Sequence, residues 1–556
     1  MQSDPSTILN GGPATRAGRD TSLPVILIGF QRQSNLGVGY LASTLRREGY
    51  TVEVFDYERD RGEILAAARR LHPILIGFSL IFQSYVTNFR ALMRYLRTKG
   101  IDCHFTMGGH FPSLSYERTL KCLPELDSVV RFEGEETLLE LVDCLGAGRP
   151  WRTILGIAYL DGDVARATEM RPLIHDLDQL PYPERTFNRN AVLGRHATPL
   201  LASRGCARTC SFCSIHMFYR TAPGKVVRTR KPSEVAREMR FLLDKHGITI
   251  FLFQDDDFPL FGPAWKRWAR EFVVELYRND LPGKAVWKIN CRADAVDPEL
   301  FVEMRKAGLH MVYMGLESGT EEGLKTLHKQ ITVEQNLRAV EILKQIGTRF
   351  EFGFMLLDPS STFESVRANL QFLRNIVGDG SAAAGFGRMV PYDGTPIKEE
   401  LERTGRLRGD VSRPDYDFLD SRLNDFYNGI LQMVDVTGWT HGYGALSPAL
   451  NFAWEEVSIL EQLFPAVPGF DEYRRAICQI TSESNLALIQ IVEDLSYVFS
   501  DKKENQWSVD EIRSRSSAFT NRLITTRDEF ILSNQAMLLE SLGIGSEPAR
   551  KFANAS

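Results

Sequence analysis

Two parts of the chain alternate short apolar runs with amphipathic segments, and a third part is helical in pattern. Between Leu23 and Gly148 the apolar runs 25–30, 52–55, 74–79, 104–107 and 128–131 have strand length. Segments 39–48, 85–99 and 136–145 repeat apolar residues every three or four positions and predict helices between them. Such alternation predicts a parallel sheet with helices on both faces. The pattern returns in residues 198–408, with strands expected at 199–203, 249–254, 285–290, 311–315, 351–356 and 382–390. Helices are expected there at 234–245, 265–278, 298–307, 333–346 and 363–376. Six such units predict a partial (β/α)6 barrel of the TIM type, whose chemistry sits at the carboxyl ends of the strands.

Residues 151–197 read as a linker. It opens with a hairpin, 155–160 and 164–167, turned at Asp161-Gly162-Asp163, and continues as the proline- and charge-rich LIHDLDQLPYPERTF. After Asp410 the pattern is helical. Leu419, Leu423, Phe426, Ile430, Met433 and Val434 share one face, Ser447-Pro448 is expected to open a second helix, and 485–499 is amphipathic. Ser508 and Glu511 form a capping-box signal. The expected fold class is α/β, in the order lead-in 1–22, Rossmann-like domain 23–150, linker 151–197, barrel 198–408, helical domain 409–545 and tail 546–556.

Composition narrows the function classes. A net charge of −5 over 556 residues gives no general electrostatic reason to bind nucleic acid or an anionic membrane. No apolar run is long enough to span a bilayer. The N-terminus lacks the charged-then-apolar order of a signal peptide and reads as a polar, disordered lead-in. Five of the eight cysteines, Cys103, Cys122, Cys144, Cys291 and Cys478, are scattered in apolar or strand-like contexts. That usage fits reduced structural thiols and a cytoplasmic location.

The other three stand together. Cys206, Cys210 and Cys213 are spaced Cys-x3-Cys-x2-Cys within LLASRGCARTCSFCSIHMFYR, after an apolar run and Gly205. Three thiolates on one short loop can hold three irons of a 4Fe–4S cube and leave the fourth open to a ligand. A zinc site usually needs a fourth ligand, often from a second Cys-x2-Cys knuckle, and none exists. The loop, with the aromatic Phe212 before its last cysteine, resembles the signature of the radical S-adenosylmethionine (SAM) superfamily.

The loops that follow the strands of the first domain are QRQSNLGVGYLASTLRREGY, GGHFPSL and FEGEETLLELV. Glycines 37, 39, 108, 109 and 134 allow close backbone approach to a flat or bulky ligand. Together these loops resemble the cobalamin-binding domain that precedes many radical SAM domains. The resemblance implies cobalamin contacts from Asn35, Gly37, Ser79, Gly108, Gly109, Glu133 and Gly134. The Asp-x-His-x-x-Gly motif that supplies a lower histidine ligand in many cobalamin proteins is absent, and His110 does not stand in it. The residues alone also fit a structural Rossmann-like domain that shapes an active-site entrance. A nucleotide is disfavoured because no G-x-G-x-x-G opens a helix with an acidic partner in place.

In the barrel, strand ends carry Gln254-Asp255-Asp256-Asp257, Asn290-Cys291-Arg292-Ala293-Asp294 and Met314-Gly315-Leu316-Glu317-Ser318-Gly319. The resemblance implies that Asp255 and Asp256, ahead of Asp257, face the amino group of SAM. It also implies that Glu317, with Ser318, accepts from the ribose hydroxyls. Arg292 suits the SAM carboxylate as a planar guanidinium; an ion pair within the domain is the plain alternative. PYDGTP at 391–396 resembles a structural barrel-closing segment, and Trp439, His441 and Tyr443 lie in a Gly-rich loop that fits ordinary packing.

The resemblance, to the class B methyltransferase branch, covers about residues 23–400 and implies an enzyme. Its reduced cluster cleaves SAM to a 5′-deoxyadenosyl radical that takes hydrogen from an unactivated carbon. Methylation of such a carbon, or of a phosphinate, in a small biosynthetic intermediate is the expected outcome. Flavodoxin or ferredoxin is the expected electron donor. A radical cyclase, ring-contraction or carbon–carbon coupling enzyme of the same architecture is the alternative. A tRNA methylthiotransferase is disfavoured, because Cys103, Cys122 and Cys144 lack a cluster context and the C-terminal region is helical. A cobalamin sensor leaves the cysteine trio without a role.

Overall fold

The computed structural model describes residues 21–31, 34–185, 191–442, 444–464 and 466–540. The expected lead-in up to residue 20, the tail 546–556 and Tyr443 lie outside them. Among the described residues no helix is long and apolar enough to cross a membrane. The chain divides into two compact units that are not serial. The first takes Met1–Arg189, Thr198–Glu234 and Val390–Tyr416; the second takes Asn190–Ala197, Val235–Met389 and Asp417–Ser556.

The first unit is built on a seven-stranded sheet. Its strands are β1 (Val25–Gly29), β2 (Val52–Asp56), β3 (Leu75–Ser79), β4 (His104–Gly108), β5 (Ser128–Val130), β6 (Ile157–Asp161) and β7 (Val164–Ala167), in the order β2-β1-β3-β4-β5-β6-β7. The first five pair in parallel, with Val25 opposite both Val52 and Leu75. Alternate residues enter different cores, as the two-residue period of a strand requires. Ile26, Ile76 and Phe105 pack on Phe89, Met93 and Leu96 of the helix Val86–Thr98. Val25, Leu27 and Leu75 pack on Val38 and Leu45 of Leu36–Arg47 and on Leu141 of Glu135–Gly146. The hairpin β6–β7 is not part of a free connector. It pairs antiparallel with β5 and extends this sheet, because Ile157 and Ala158 are apolar and fully buried there. An unexpected helix, Arg61–Leu71, fills the step from β2 to β3, capped by Asp60 on the Gly62 amide at 2.7 Å.

The second unit holds most of another seven-stranded sheet. Its strands are β8 (Ala191–Val192), β9 (Arg195–Leu200), β10 (Ile250–Phe253), β11 (Val286–Arg292), β12 (Leu309–Glu317), β13 (Arg349–Leu357) and β14 (Gly387–Arg388), in the order β14-β13-β12-β11-β10-β9-β8. β10 to β14 pair in parallel. The last strand is far shorter than the expected 382–390. The Asn485 side chain takes the Ala382 carbonyl and the Ala384 amide, so these backbone groups are unavailable to a ladder. The strand expected at 199–203 instead ends at Leu200.

Helices Arg422–Met433, Leu446–Leu463, Phe470–Asp501 and Val509–Ser533 complete the unit. Ser447-Pro448 does not open the second of these: the Leu446 and Ser447 amides donate to the carbonyls of Gly438 and Trp439, which act as the cap. Phe470–Asp501 is longer than the apolar pattern at 485–499 because Thr481 and Ser484 are buried, with Thr481 accepting from the Trp454 indole at 3.1 Å. Glu456 and Arg527 pair through two 2.7 Å bonds and join two of these helices.

His310 on β12 is fully buried, its Nδ1 2.8 Å from the Ser458 hydroxyl. Burial, and then the charge of Lys288, push its pKa down to about 3 from 6.5. The unfolded chain therefore binds a proton that the folded chain refuses. Stability should be complete above pH 6.5 and fall as the pH drops towards 3. Denaturant midpoints between pH 7 and pH 4.5 should show this fall, with a shallower slope in His310→Gln.

Candidate active site

In the first unit, the cysteine loop lies between the two-residue strand Ser203–Arg204 and the helix Ser214–Thr221. Ser203–Arg204 pairs antiparallel with Arg228–Thr229. Gly205 has φ +90°, and a Cβ there would land on the Val226 carbonyl oxygen, so only glycine fits. Arg220 donates to the Ala207 carbonyl at 2.8 Å, and the Cys213 amide to the Cys210 carbonyl at 3.2 Å. Cys210 is buried, Cys206 and Cys213 are half-buried, and all three are thiols rather than disulfides. Among the described residues no three His, Cys, Asp or Glu side chains converge as around a single metal ion. Three thiols spread over eight residues fit instead a cube in which each thiolate holds its own iron. Phe212, between the second and third cysteines, is half-buried.

Two residues before Cys206, Arg204 is buried in a charged network. Its guanidinium reaches Glu133 at 3.2 Å and Glu135 at 2.6 Å. Arg228 reaches the other Glu133 oxygen at 2.8 Å and the Ile174 carbonyl at 2.7 Å. The Ile174 amide also donates to Glu133, at 2.7 Å. Burial opposes the charge on Arg204, but Glu135 and then Glu133 outweigh it and hold the guanidinium protonated. Burial likewise opposes the Glu133 carboxylate, but Arg204 and Arg228 outweigh it and keep the group below its ordinary range. Glu133, expected to touch a cofactor, is thus committed to the chain itself. Phe218, on the helix after the loop, packs on His110 at 4.6 Å and on Phe132 at 5.3 Å. Burial pushes the His110 imidazole down to about 4 and keeps it neutral.

The other expected cobalamin residues gather at the carboxyl ends of the same sheet. A Cβ on Gly29 would stand 3.2 Å from the Ser79 Cβ and 3.3 Å from the Asn35 amide nitrogen. The Asn35 carbonyl oxygen caps the next helix at the Val38 amide, 3.1 Å. Ser79 pairs with Gly108, and Gly109, at φ +116°, lies so close to the Leu80 carbonyl that a Cβ would strike it. Gly37 has only the Asn35 side chain near it, and Gly134 lies against Leu41 and Val130. The Gln31 amide nitrogen, two residues beyond β1, is buried with no hydrogen-bond partner among the described residues. An orphaned buried donor among glycine-lined strand ends fits a large ligand approached largely through backbone.

In the second unit, the loop after β10 is held by Asn290, whose amide donates to the Phe253 and Asp255 carbonyls at 3.4 and 3.3 Å. Asp255 and Asp257 are buried and Asp256 is exposed. Arg292 pairs with Asp294 at 3.0 Å and donates to the Lys329 carbonyl at 2.6 Å, which is the intradomain arrangement. Glu317 has φ +64° and accepts from Lys329 at 3.1 Å. Two buried asparagines hold its loop. Asn336 donates to the Leu316 and Ser318 carbonyls, and Asn369 accepts from the Gly319 amide at 2.7 Å and from the Ser318 hydroxyl at 3.3 Å. Ser318 is fully buried inside this lattice.

Sequence reasoning missed Lys288, Tyr313 and Glu351 and gave Asn290 no role, all polar residues in largely apolar strands. Asn290, Tyr313 and Glu351 stand in register across β11, β12 and β13. Lys288 bonds Glu351 at 2.5 Å. Gly353 makes room for the Tyr313 hydroxyl, which lies 2.7 Å from where its Cβ would be. Burial, then Glu317 and Glu351, push the Tyr313 phenol up to about 12, so it is a hydrogen-bond donor at neutral pH. The signal was available as polar residues alternating with apolar ones at 288, 290 and 292 of β11 and at 349 and 351 of β13.

A Radical SAM superfamily model matches residues 200–373, the span that carries the three cysteines and the strand ends just described. A B12 binding domain model matches residues 30–142. The chain belongs to the radical SAM superfamily and carries a B12-binding domain. With these domains go a 4Fe–4S cluster, SAM and cobalamin. An uncharacterised methyltransferase of Pyrococcus horikoshii is 29% identical over 66% of this chain and 77% of its own. The anaerobic magnesium-protoporphyrin IX monomethyl ester cyclase of Cereibacter sphaeroides is 30% identical over 66% of this chain and 60% of its own. Among solved structures, the cobalamin-dependent SAM radical enzyme OxsB, with aqua-cobalamin bound, superposes with a TM-score of 0.64 at 18% identity, covering 95% of this chain and 82% of OxsB. The radical SAM methyltransferase TsrM of Kitasatospora setae, with cobalamin and a 4Fe–4S cluster, gives 0.61 at 17% identity, covering 91% of this chain and 99% of TsrM. At these identities the two structures show the shared fold.

In this radical SAM enzyme, removing Arg204 takes the guanidinium from buried Glu135 and leaves Glu133 to Arg228 and the Ile174 amide. Arg204→Met should cost about 3–5 kcal/mol of stability at pH 7, the scale for breaking a buried pair from one side. Glu135→Gln added to it should recover part of the loss. Urea denaturation of the three proteins checks this; a change under about 1 kcal/mol, as for a surface pair, would contradict the network's role.

Proposed function

We propose that this enzyme is a cobalamin-dependent radical SAM methyltransferase acting on an unactivated carbon, or a phosphinate, of a small biosynthetic intermediate. One observation carries the reading: the cysteine loop and the glycine-lined strand ends of the B12-type sheet belong to one compact unit, joined through Arg204, Glu133 and Phe218. Chemistry that uses both cofactors on one substrate needs them held in fixed relation. When bound, the reduced cluster and SAM supply a carbon-centred radical that takes hydrogen from the substrate, and cobalamin supplies a methyl carrier. The chain's own work is binding, orientation and exclusion of water.

Cys206, Cys210 and Cys213 hold the cluster in this reading. Asp255 takes the amino group of SAM. Glu317, fixed in the left-handed region by Asn336 and Asn369, accepts from the ribose. Arg292 acts indirectly, setting the Lys329 carbonyl while Lys329 orients Glu317. Gln31, Asn35 and Ser79 are the side chains offered to cobalamin. A flavodoxin or ferredoxin supplies the electron.

The cyclase relative favours a second reading, radical cyclisation or carbon–carbon coupling on the same scaffold. The two separate in the fate of the methyl group. Anaerobically reconstituted enzyme given SAM with a deuterated methyl, reductant and cobalamin should release S-adenosylhomocysteine and carry label into the cobalamin fraction. Formation of 5′-deoxyadenosine with no label transfer would favour cyclisation or coupling. Glu317→Gln should weaken SAM binding about tenfold, the loss of one charge-assisted bond, with iron content unchanged. Calorimetric titration with SAM checks it, and an unchanged affinity would remove Glu317 from the ribose.

A further inference from the structure

Gln83 is a buried polar residue flanked by exposed Phe82 and Ser84, at the end of the loop that follows β3. Its carboxamide is fully spent on a distant segment of the first unit. Nε2 donates to the Asp393 carboxylate at 3.2 Å and to the Val411 carbonyl at 2.8 Å, and Oε1 accepts from the Asp393 amide at 2.8 Å. Asp393 is buried too and pairs with buried Lys398 and with Arg118, the latter at 3.1 Å. From Asp393 the chain turns at Gly394, φ +76°, where a Cβ would stand 2.8 Å from that of Leu114. It then enters the helix Pro396–Arg403, and the Ile397 amide in its first turn donates to the Ser211 carbonyl at 3.0 Å. Ser211 lies between Cys210 and Cys213.

A short, buried, hydrogen-bonded path thus runs from the β3 loop to the middle of the cysteine loop. It starts four residues after Ser79, whose hydroxyl makes no hydrogen bond among the described residues. The two Gln83–Asp393 bonds are buried, and four residues of main chain carry Asp393 to the Ile397–Ser211 bond, so displacement at one end is not absorbed by solvent there. We propose that Gln83 is a positioning residue that transmits occupancy of the β3 loop by cobalamin to the cysteine loop, through Asp393 and Ile397. The inference rests on the reading that the first unit binds both cofactors, and it adds a coupling between them.

The test uses the full chain, reconstituted with iron and sulfide, reduced, and examined by electron paramagnetic resonance with and without hydroxocobalamin. Iron and cobalamin per chain are measured on the same samples. In the parent protein the g values of the cluster should shift when cobalamin is loaded. In Gln83→Met, which keeps the shape and removes the three bonds, iron and cobalamin should load as before and the shift should be lost. Ile397→Pro removes the amide donor and trims a buried side chain, one position after the proline that already opens this helix, in a first turn whose amides need no intrahelical acceptor. It should lose the shift in the same way, and it carries the test should Gln83→Met not fold. A shift retained in the variants overturns the proposal, as does a parent protein whose g values ignore bound cobalamin. A parent protein that loads four irons and no cobalamin overturns both this proposal and the reading beneath it.

Discussion

A buried charge that cannot be left alone governs the first unit. Arg204 stands two residues before the first cluster cysteine, where water cannot reach it, and its stability depends on Glu133 and Glu135. Those carboxylates come from the loop after β5 and the start of the helix Glu135–Gly146, and Glu133 is shared with Arg228 on the far side of the cysteine loop. The network gives little net stability relative to an apolar packing, since desolvation offsets most of the attraction. Its effect is directional. The carboxylates accept in only one arrangement of the two arginines, so the loop that begins at Gly205 starts from a fixed point.

The second unit solves a related problem with neutral groups. Its Glu317 adopts a left-handed backbone that few residues other than glycine adopt cheaply. Asn336 and Asn369, each from a helix that follows its own strand, bond the carbonyls and amide around it. Gly315 and Gly353 stand opposite each other in register and leave room for the Glu317 carboxylate, Lys329 and the Tyr313 hydroxyl. Strain at the strand end is thus met by buried asparagines.

Much of this was legible in the chain. Short apolar runs placed the strands of the first sheet within a residue or two, because the central strands β1, β3, β4 and β5 are largely buried. The cysteine spacing and Gly205 pointed to the cluster without any structure. What escaped was the use of polar groups over long separations. Glu133 reads as a loop carboxylate beside glycines, and nothing local says that it meets Arg204 and Arg228, 71 and 95 residues away. The shortened β14 escaped for the same reason, since its ladder groups are taken by Asn485, about a hundred residues on. Ser447-Pro448 is a sound local cap signal that was overruled by backbone carbonyls already in place.

The central claim is that the cysteine loop and the B12-type sheet form one body. Native-state hydrogen exchange in sub-denaturing urea tests it most directly, by following the Cys213 amide of the loop alongside the Val129 and Val130 amides of β5. The account predicts that they become exchangeable in one cooperative opening, with the same dependence on urea. A cysteine loop that opens at far lower free energy, while β5 stays protected, would contradict it.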